Sequence, residues 1–431
     1  MDANSILVYT FLVPYFLCRC KTFLSLDDSV QFRLPISWSI LVSDNANAHF
    51  PSLGAIDMDR IPFNVPFISG QERAYIDEVF SNGHFAGNGP FTKRVQEWLE
   101  AHLGASRVLL THSCTAGLEM AAMLNGLGPG DEVLMPSFTF VTTASSIMRV
   151  GAKPVFCEID PETMLIDLED AMTRVNDRTR AIVPVHYAGF SPDMDAVLSF
   201  AANHDIVVIE DAAQGLGSSW RGRPLGTFAP LGAISFHETK NIHCGLGGCL
   251  VVNDPSLVNQ AEIVWERGTN RSAFFKGFVD KYSWQEVGSS FYPSEFQAAF
   301  LLAQLEAMQG NLEFRHRIWE AYEEALTPLE QLGHFRILRS PSGSSPNAHM
   351  FAILLPTPEE ADKVRIHLNQ NGIQAVIHYV PLHASDMGQK LGYAPNDLPI
   401  TVNSSGRLLR LPLHLADGIE LTPMRVANLL A

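Results

Sequence analysis

The sequence has 431 residues, of which 46% are hydrophobic and 18% are charged. This is the composition of a folded protein, and the length exceeds the roughly 250–300 residues at which a single core stops growing, so two domains are predicted. Lys and Arg number 30 against 46 Asp and Glu, a net charge of −16, which argues against binding nucleic acid or anionic lipid through bulk charge but permits a small anionic ligand in a local cluster of cations.

The N-terminal region reads differently from the rest of the chain. Residues 6–20 are apolar, but they are short for a membrane span and are interrupted by Pro14, and they lack the flanks of a signal peptide. No membrane association is predicted, and residues 1–58 are expected to be an extension that is poorly ordered or lies upstream of the natural start. The six scattered cysteines suggest neither a disulfide framework nor a metal site, which favours a cytoplasmic protein with reduced thiols.

Residues 60–255 alternate short apolar runs with helical patterns. Strands are predicted at residues 107–111, 132–136, 153–158, 181–186, 206–210, 233–236 and 249–253. Helices are predicted between them at residues 116–127, 141–150 and 194–204. Apolar strands separated by helices indicate an α/β domain with a mostly parallel seven-stranded sheet, whose carboxyl edge is the expected ligand site.

The pattern changes near residue 290, where a smaller α+β domain is predicted. Its helices are expected at residues 294–308, 312–326, 359–370 and 423–430. A loop rich in Pro, Gly and Ser is expected at 340–347, and strands at 348–355 and 374–380. The predicted domains are therefore residues 59–305 and 306–431.

The first candidate site is the segment 111–117 (THSCTAG), which joins a predicted strand to a predicted helix. Free backbone N–H groups and the helix dipole at such a helix start can bind a phosphate. A plain helix cap by Ser113 or Thr115 explains the same residues, and on this segment alone it is the more common case.

The second candidate site is the segment 207–214 (VVIEDAAQ), where a buried strand runs directly into acidic residues. Asp211 at the carboxyl end of the strand could hold the protonated ring nitrogen of a pyridine cofactor. Gln214 could donate a hydrogen bond to the ring oxygen. A capping acid and a surface glutamine fit the segment equally well.

The third candidate site is the segment 235–241 (SFHETKN), followed by glycines at 245, 247 and 248. Lys240 stands in an otherwise apolar, glycine-rich stretch, and buried lysines are rare unless they are used. Burial lowers the pKa of a lysine and makes its amine a nucleophile for carbonyl groups. An exposed loop lysine is the common alternative.

Each of three weaker features allows both a functional and a structural interpretation. Phe138 and Phe140 could stack on a flat ring, although core packing is expected for at least one of them. The basic stretch 267–281 could meet an anionic substrate or be a solvated face, and His378 and His383 flank a turn, where structural histidines are the usual case.

The order of these segments, and not any one of them, resembles the sugar aminotransferases of the DegT/DnrJ/EryC1/StrS family, which depend on pyridoxal 5′-phosphate (PLP). The resemblance covers residues 60–431. Within the family, long segments are similar to the transaminases that make dTDP-4-amino-4,6-dideoxygalactose for the enterobacterial common antigen. These segments are 61–64 (IPFN), 183–189 (VPVHYAG), 235–241 (SFHETKN), 268–272 (GTNRS), 279–284 (VDKYSW), 288–290 (GSS) and 378–383 (HYVPLH).

The resemblance implies a fold-type I aminotransferase and a role for each matched residue. Lys240 is the lysine that bonds covalently to the cofactor, Asp211 the acid at its ring nitrogen and Gln214 the partner of its ring oxygen. Phe140 takes the place of the stacking aromatic residue. The cofactor phosphate is held by Cys114, Thr115 and Ser235, and by Ser289 from the neighbouring subunit, where many relatives have an asparagine.

The same resemblance implies a homodimer that transfers the amino group of L-glutamate to a dTDP-keto-sugar. Dehydratases of this fold carry histidine in place of the lysine, so Lys240 argues against that activity. Two further activities stay open, namely amino transfer to another nucleotide sugar and non-catalytic ligand sensing on the same fold.

Overall fold

A computed structural model describes residues 60–431, so the predicted extension, residues 1–58, lies outside the described part of the chain. The helices are α1 (Glu72–Asn82), α2 (Pro90–Leu103), α3 (Cys114–Leu124), α4 (Val141–Arg149), α5 (Leu168–Arg174), α6 (Met194–Asn203), α7 (Val258–Trp265), α8 (Arg271–Phe275), α9 (Glu295–Glu306), α10 (Met308–Gln331), α11 (Pro358–Gln370), α12 (Asp386–Lys390), α13 (Pro399–Arg407) and α14 (Thr422–Leu430). Within residues 60–431, none of them is both long and apolar enough to cross a bilayer.

The strands form one large sheet and two small ones. They are β1 (Arg107–Thr111), β2 (Glu132–Pro136), β3 (Lys153–Cys157), β4 (Thr179–Ile182), β5 (Val207–Asp211), β6 (Ser219–Trp220), β7 (Arg223–Pro224), β8 (Leu231–Ser235), β9 (Gly248–Val252), β10 (Arg336–Ile337), β11 (Ser344–Ser345), β12 (Phe351–Leu354) and β13 (Leu408–Leu411). All seven strands predicted before residue 255 are confirmed to within a few residues, and so are the three predicted helices.

The large sheet has the order β1-β9-β8-β5-β4-β2-β3. Strand β9 is antiparallel to both of its neighbours, and the other pairs in the sheet are parallel. Parallel strands joined through helices end at a common carboxyl edge. Asp211 ends β5 and Ser235 ends β8, so the adjacent ends of these two strands place two of the candidate residues at this edge.

Helices cover both faces of the large sheet. In β1, Leu109 packs into one core cluster and Leu110 into another on the opposite face, and both side chains are fully buried. In β5, Ile209 and Val208 divide between the faces in the same way. Each such side chain contributes about 1.5–3 kcal/mol by leaving water, which explains the apolar runs at residues 108–110 and 207–209.

The last third of the chain builds a second layer from the sheet β10-β12-β13 with helices α10, α11 and α14. Its core includes Tyr322, Phe351 and Leu409, and it also takes in Ile61, which bridges to Ile373 from the start of the described chain. The predicted division between residues 305 and 306 stays a prediction.

One prediction for this region is wrong, because residues 374–380 form no strand and only Val376 makes an isolated bridge, to Arg410. The expected loop 340–347 is confirmed except for the two-residue strand β11 within it, which pairs with β6. The patterns at 374–380 and 340–347 are set by distant partners, which sequence periodicity cannot report.

Candidate active site

A cavity of about 680 Å³ lies at the carboxyl edge of the large sheet. Its walls come from the ends of β5 and β8, the start of α3, the loop after β8, and residues on and near β13. The cavity brings together seven residues selected from the sequence: Cys114, Thr115, Phe140, Asp211, Gln214, Ser235 and Lys240. Phe63 and Leu413 line the same cavity, so residues from both ends of the described chain meet there.

Asp211 is a buried carboxylate with no cation paired to it among the described residues. It accepts hydrogen bonds from the Thr143 hydroxyl at 2.7 Å and from the Ala213 N–H at 3.2 Å. Burial raises the pKa of Asp211, which these hydrogen bonds and the nearby Lys240 only partly oppose. A carboxylate in this condition gains most from a ligand that carries a positive charge into the cavity.

Lys240 lies in the loop between β8 and β9, partly buried against the cavity. Within residues 60–431 its amine has no hydrogen-bond or ion-pair partner. Burial lowers the pKa of Lys240, although Cys114 and Asp211 oppose the shift. The amine of Lys240 therefore loses its proton more easily than that of an exposed lysine, and the neutral amine is the nucleophilic form.

Gln214 is fixed by two contacts on opposite sides of its amide. Its Oε1 accepts a hydrogen bond from the Ala188 N–H at 2.6 Å, and its Nε2 donates to the Tyr379 hydroxyl at 3.3 Å. Because the backbone N–H can only donate, the orientation of the amide is settled. The NH₂ group faces the cavity wall, with a second proton for a ligand oxygen.

The start of α3 is capped by Ser113, whose hydroxyl accepts a hydrogen bond from the Ala116 N–H at 3.2 Å. The N–H groups of Cys114 and Thr115 precede that contact and have no helical partner. Ser235 stands beside them in the cavity lining and accepts from the His237 N–H at 3.3 Å, which leaves its own proton to donate. The capping interpretation and the anion-site interpretation are thus compatible, since different residues serve each.

The close approach of β9 to α3 requires glycine at position 248. A Cβ atom there would lie 2.2 Å from the Cys114 backbone nitrogen. We expect Gly248→Ala to displace the start of α3, lowering the free energy of unfolding by about 2–4 kcal/mol and weakening cofactor binding. Urea unfolding and fluorescence titration with PLP measure the two effects.

Gly310→Ala in α10 is the matched control for this substitution. A Cβ atom at Gly310 would have no neighbour within 4 Å among the residues that the structure describes, and alanine stabilises a helix by about 1 kcal/mol relative to glycine. Unchanged cofactor affinity in both variants would contradict the proposed importance of the β9–α3 approach.

The two candidate aromatic residues separate as expected. Phe138 is fully buried against Tyr187, with the ring centroids 5.0 Å apart, and so belongs to the core. Phe140 is 53% exposed and lines the cavity, so its ring is available to a flat ligand.

Ser289 is the one predicted site residue that the structure places elsewhere. It is exposed and does not line the cavity of its own chain. A residue that serves the site of a neighbouring subunit is expected outside its own cavity, so its role stays a prediction. The basic stretch 267–281 also stays outside the cavity, and its Lys276 pairs with Glu262 at 3.0 Å.

His383 is structural as expected, buried with its Nδ1 2.6 Å from the Ser137 hydroxyl. His378, expected to be structural as well, lines the cavity. Its Nδ1 lies 2.6 Å from the Tyr187 hydroxyl. Burial lowers the pKa of His378 to about 2, so its imidazole is neutral.

Several cavity residues were not found from the sequence. They are His186, Arg315, His349, Tyr379 and Arg410, together with Thr143 behind Asp211. The two arginines and Lys240 face a single lining carboxylate, Asp211, among the described residues. This excess of cations suits anionic ligands, and it arises on a chain with a net charge of −16.

Residues 66–422 match the model of the DegT/DnrJ/EryC1/StrS aminotransferase family. The chain belongs to this family. The spore coat polysaccharide biosynthesis protein SpsC of Bacillus subtilis is 32% identical over 364 residues, which cover 82% of this chain and 92% of that protein. GDP-perosamine synthase of Caulobacter vibrioides is 30% identical, with 83% of this chain and 94% of that enzyme covered.

Among solved structures, the aminotransferase TlmJ from Streptoalloteichus hindustanus matches with a TM-score of 0.77 at 28% identity. The match covers 85% of this chain and 98% of that one. The architecture is therefore that of the fold-type I aminotransferases, as the sequence predicted. Aminotransferases of this family depend on PLP, which is the expected cofactor of this chain.

The polar groups in the cavity fit the ring nitrogen and the phosphate of such a cofactor. Asp211 is an unpaired buried carboxylate suited to a protonated ring nitrogen, and the free N–H groups at the start of α3 suit a phosphate. Among residues 60–431, the buried Nδ1 atom of His186 has no hydrogen-bond partner either, while its Nε2 lies 3.0 Å from Glu210. The burial of Asp211 and of the helix start is costly, and a polar ligand in the cavity would offset that cost.

Proposed function

We propose that this enzyme transfers the amino group of L-glutamate through PLP to the 4-keto carbon of dTDP-4-dehydro-6-deoxy-D-glucose, giving dTDP-4-amino-4,6-dideoxy-D-galactose and 2-oxoglutarate. The observation that carries the proposal is the convergence of Lys240, Asp211 and Gln214 in one cavity. The choice of sugar rests on the seven segments that resemble the dTDP-4-amino-4,6-dideoxygalactose transaminases.

In this proposal the cavity residues that were predicted from the sequence would each hold one part of the cofactor. The backbone at Cys114 and Thr115 and the hydroxyls of Thr115 and Ser235 bind the phosphate. Asp211, held by Thr143, binds the protonated ring nitrogen. Gln214 donates its free amide proton to the ring oxygen, and Phe140 packs on the ring. Ser289 of the partner subunit completes the phosphate site in a homodimer.

Bound PLP acts as an electron sink that stabilises negative charge on the carbon from which a proton is removed. Asp211 maintains that capacity by keeping the ring nitrogen protonated. Lys240 would hold the cofactor covalently, and as a free amine it would take the proton from the donor Cα and deliver a proton at C4′. The same lysine would move these protons in the opposite direction for the keto-sugar.

A second candidate is an aminotransferase for another nucleotide sugar, and the 30% identity to GDP-perosamine synthase is the observation that favours it. Both candidates use the same cavity residues and differ in the nucleotide and sugar that they accept. A non-catalytic sensor would bind the same ligands without releasing 2-oxoglutarate.

The decisive experiment is the visible absorption spectrum of the PLP-loaded protein before and after addition of glutamate. We expect a yellow protein that loses its visible band with glutamate and regains it with 2-oxoglutarate. Recovery of the band with dTDP-4-dehydro-6-deoxy-D-glucose but not with a GDP-keto-sugar separates the two candidates. A protein that cannot be loaded with PLP, or that ignores every amino donor, would overturn the proposal.

A further inference from the structure

His349 lies on the cavity wall, within one hydrogen bond of the residue that follows Lys240. Its Nδ1 is 3.0 Å from Oδ1 of Asn241. Asn241 also donates from Nδ2 to the backbone carbonyl of Asn347 at 2.9 Å. Since a carbonyl can only accept, the NH₂ group of Asn241 must face Asn347, and its Oδ1 must face the histidine.

This arrangement fixes the tautomer of His349. An amide oxygen can only accept, so Nδ1 of His349 must carry a proton. Burial, with the nearby charges of Lys240 and Arg315, holds the pKa of His349 well below its usual range. The imidazole is therefore neutral, and its Nε2 presents a lone pair.

His349 lines the cavity, and its Nδ1 is held by Asn241. Within residues 60–431 its Nε2 makes no hydrogen bond, so this acceptor is left for a ligand. The charged groups that act on it are cations, namely Lys240, Arg315 and Arg410. Since Nε2 of His349 can only accept a hydrogen bond, it favours a ligand that places a hydrogen-bond donor beside it.

The functional groups of glutamate, the cofactor and the sugar indicate which of them can donate to Nε2 of His349. Glutamate offers carboxylates, which a lone pair repels, and an ammonium group that is consumed at the cofactor. The cofactor phosphate only accepts, and Gln214 already serves the ring oxygen in the proposed function. A sugar, in contrast, carries neutral hydroxyl groups beside its keto carbon.

We propose that His349 is a specificity-determining residue, whose Nε2 accepts a hydrogen bond from a hydroxyl group of the sugar that receives the amine. This inference rests on the proposed function and assigns one side chain to the second half-reaction alone. Asn241 is then a positioning residue, because it fixes the tautomer of His349 and adjoins Lys240.

The test measures the two half-reactions separately in His349→Phe, which keeps an aromatic ring but removes both the acceptor and the N–H donor to Asn241. L-Glutamate is added to the PLP-loaded enzyme, and dTDP-4-dehydro-6-deoxy-D-glucose to the enzyme loaded with pyridoxamine phosphate. We expect kcat/KM for the sugar half-reaction to fall about 10- to 100-fold, as for loss of one hydrogen bond to a buried group. The glutamate half-reaction should change by less than about 3-fold.

Two further variants complete the design. His349→Gln can restore an acceptor and should recover part of the sugar half-reaction, and His334→Phe, at an exposed histidine outside the cavity, should change neither. The PLP dissociation constant reports whether the cavity is intact. Equal loss in both half-reactions, a weakened hold on PLP, or an unchanged sugar half-reaction would each refute the assignment. A wild-type enzyme inert in both half-reactions would overturn the proposed function as well.

Discussion

Replacing Lys240 with alanine should abolish amino transfer, lowering kcat by about 10⁴-fold. The substitution removes both the covalent anchor and the group that moves the proton between the donor Cα and C4′ of the cofactor. The variant should still take up PLP, since the residues that hold its ring and phosphate remain. Stopped-flow absorbance with glutamate measures the rate, and the unfolded fraction in urea checks the fold.

Two controls isolate the role of this amine. Lys240→Arg keeps a positive charge but has a pKa far too high for proton transfer near neutrality, so it should be as inactive as the alanine variant. Lys363→Ala removes an exposed lysine on α11 and should retain full activity. Near-normal turnover in Lys240→Ala would contradict the assignment.

Asp211→Asn should give the second largest loss, about 10³-fold in kcat. Asparagine fills the same space and can keep the contact with Thr143, but it carries no charge to hold a proton on the ring nitrogen. The burial that raises the pKa of Asp211 in the cavity makes a cationic ring nitrogen its natural partner. PLP should therefore also bind more weakly, which equilibrium dialysis measures.

Thr143→Val tests whether the threonine acts through Asp211. The single variant removes the 2.7 Å hydrogen bond to the carboxylate and should cost about 10-fold in kcat. In the Asp211→Asn background the same substitution should cost much less, because the charge that it positions is gone. Fully additive losses would show that Thr143 acts independently of Asp211.

The sequence was most informative where residues near one another determine the structure. The seven strands of the large sheet were found because each is buried on both faces and therefore reads as an apolar run. The residues proposed to hold the cofactor were selected because three short segments occur in a specific order, even though each segment alone allowed a simpler interpretation. The structure brings seven of them together in one cavity, and their roles stay predictions.

The rest of the site depends on contacts between distant segments. Arg410 ends up over the ring of Phe63, at 4.6 Å, and a lone arginine in an apolar strand gives no hint of such a partner. His349 owes its tautomer to Asn241, which no periodicity can reveal. Strand β13 was missed because it is short and follows the polar helix α13. The strand expected at residues 374–380 was wrong because this apolar segment has no strand partner beyond the bridge from Val376 to Arg410.

The placement of β9 and β13 has a consequence for how the protein is made. In the large sheet of residues 60–431, β1 pairs only with β9, and the cavity wall that starts at Phe63 is closed by Arg410 near the end of the chain. During synthesis β1 therefore waits for its partner until β9 (Gly248–Val252) has been made, and the cavity stays open until Arg410 has been added. Pairing over such long sequence separations is slow, so the complete cavity is among the last features of residues 60–431 to form.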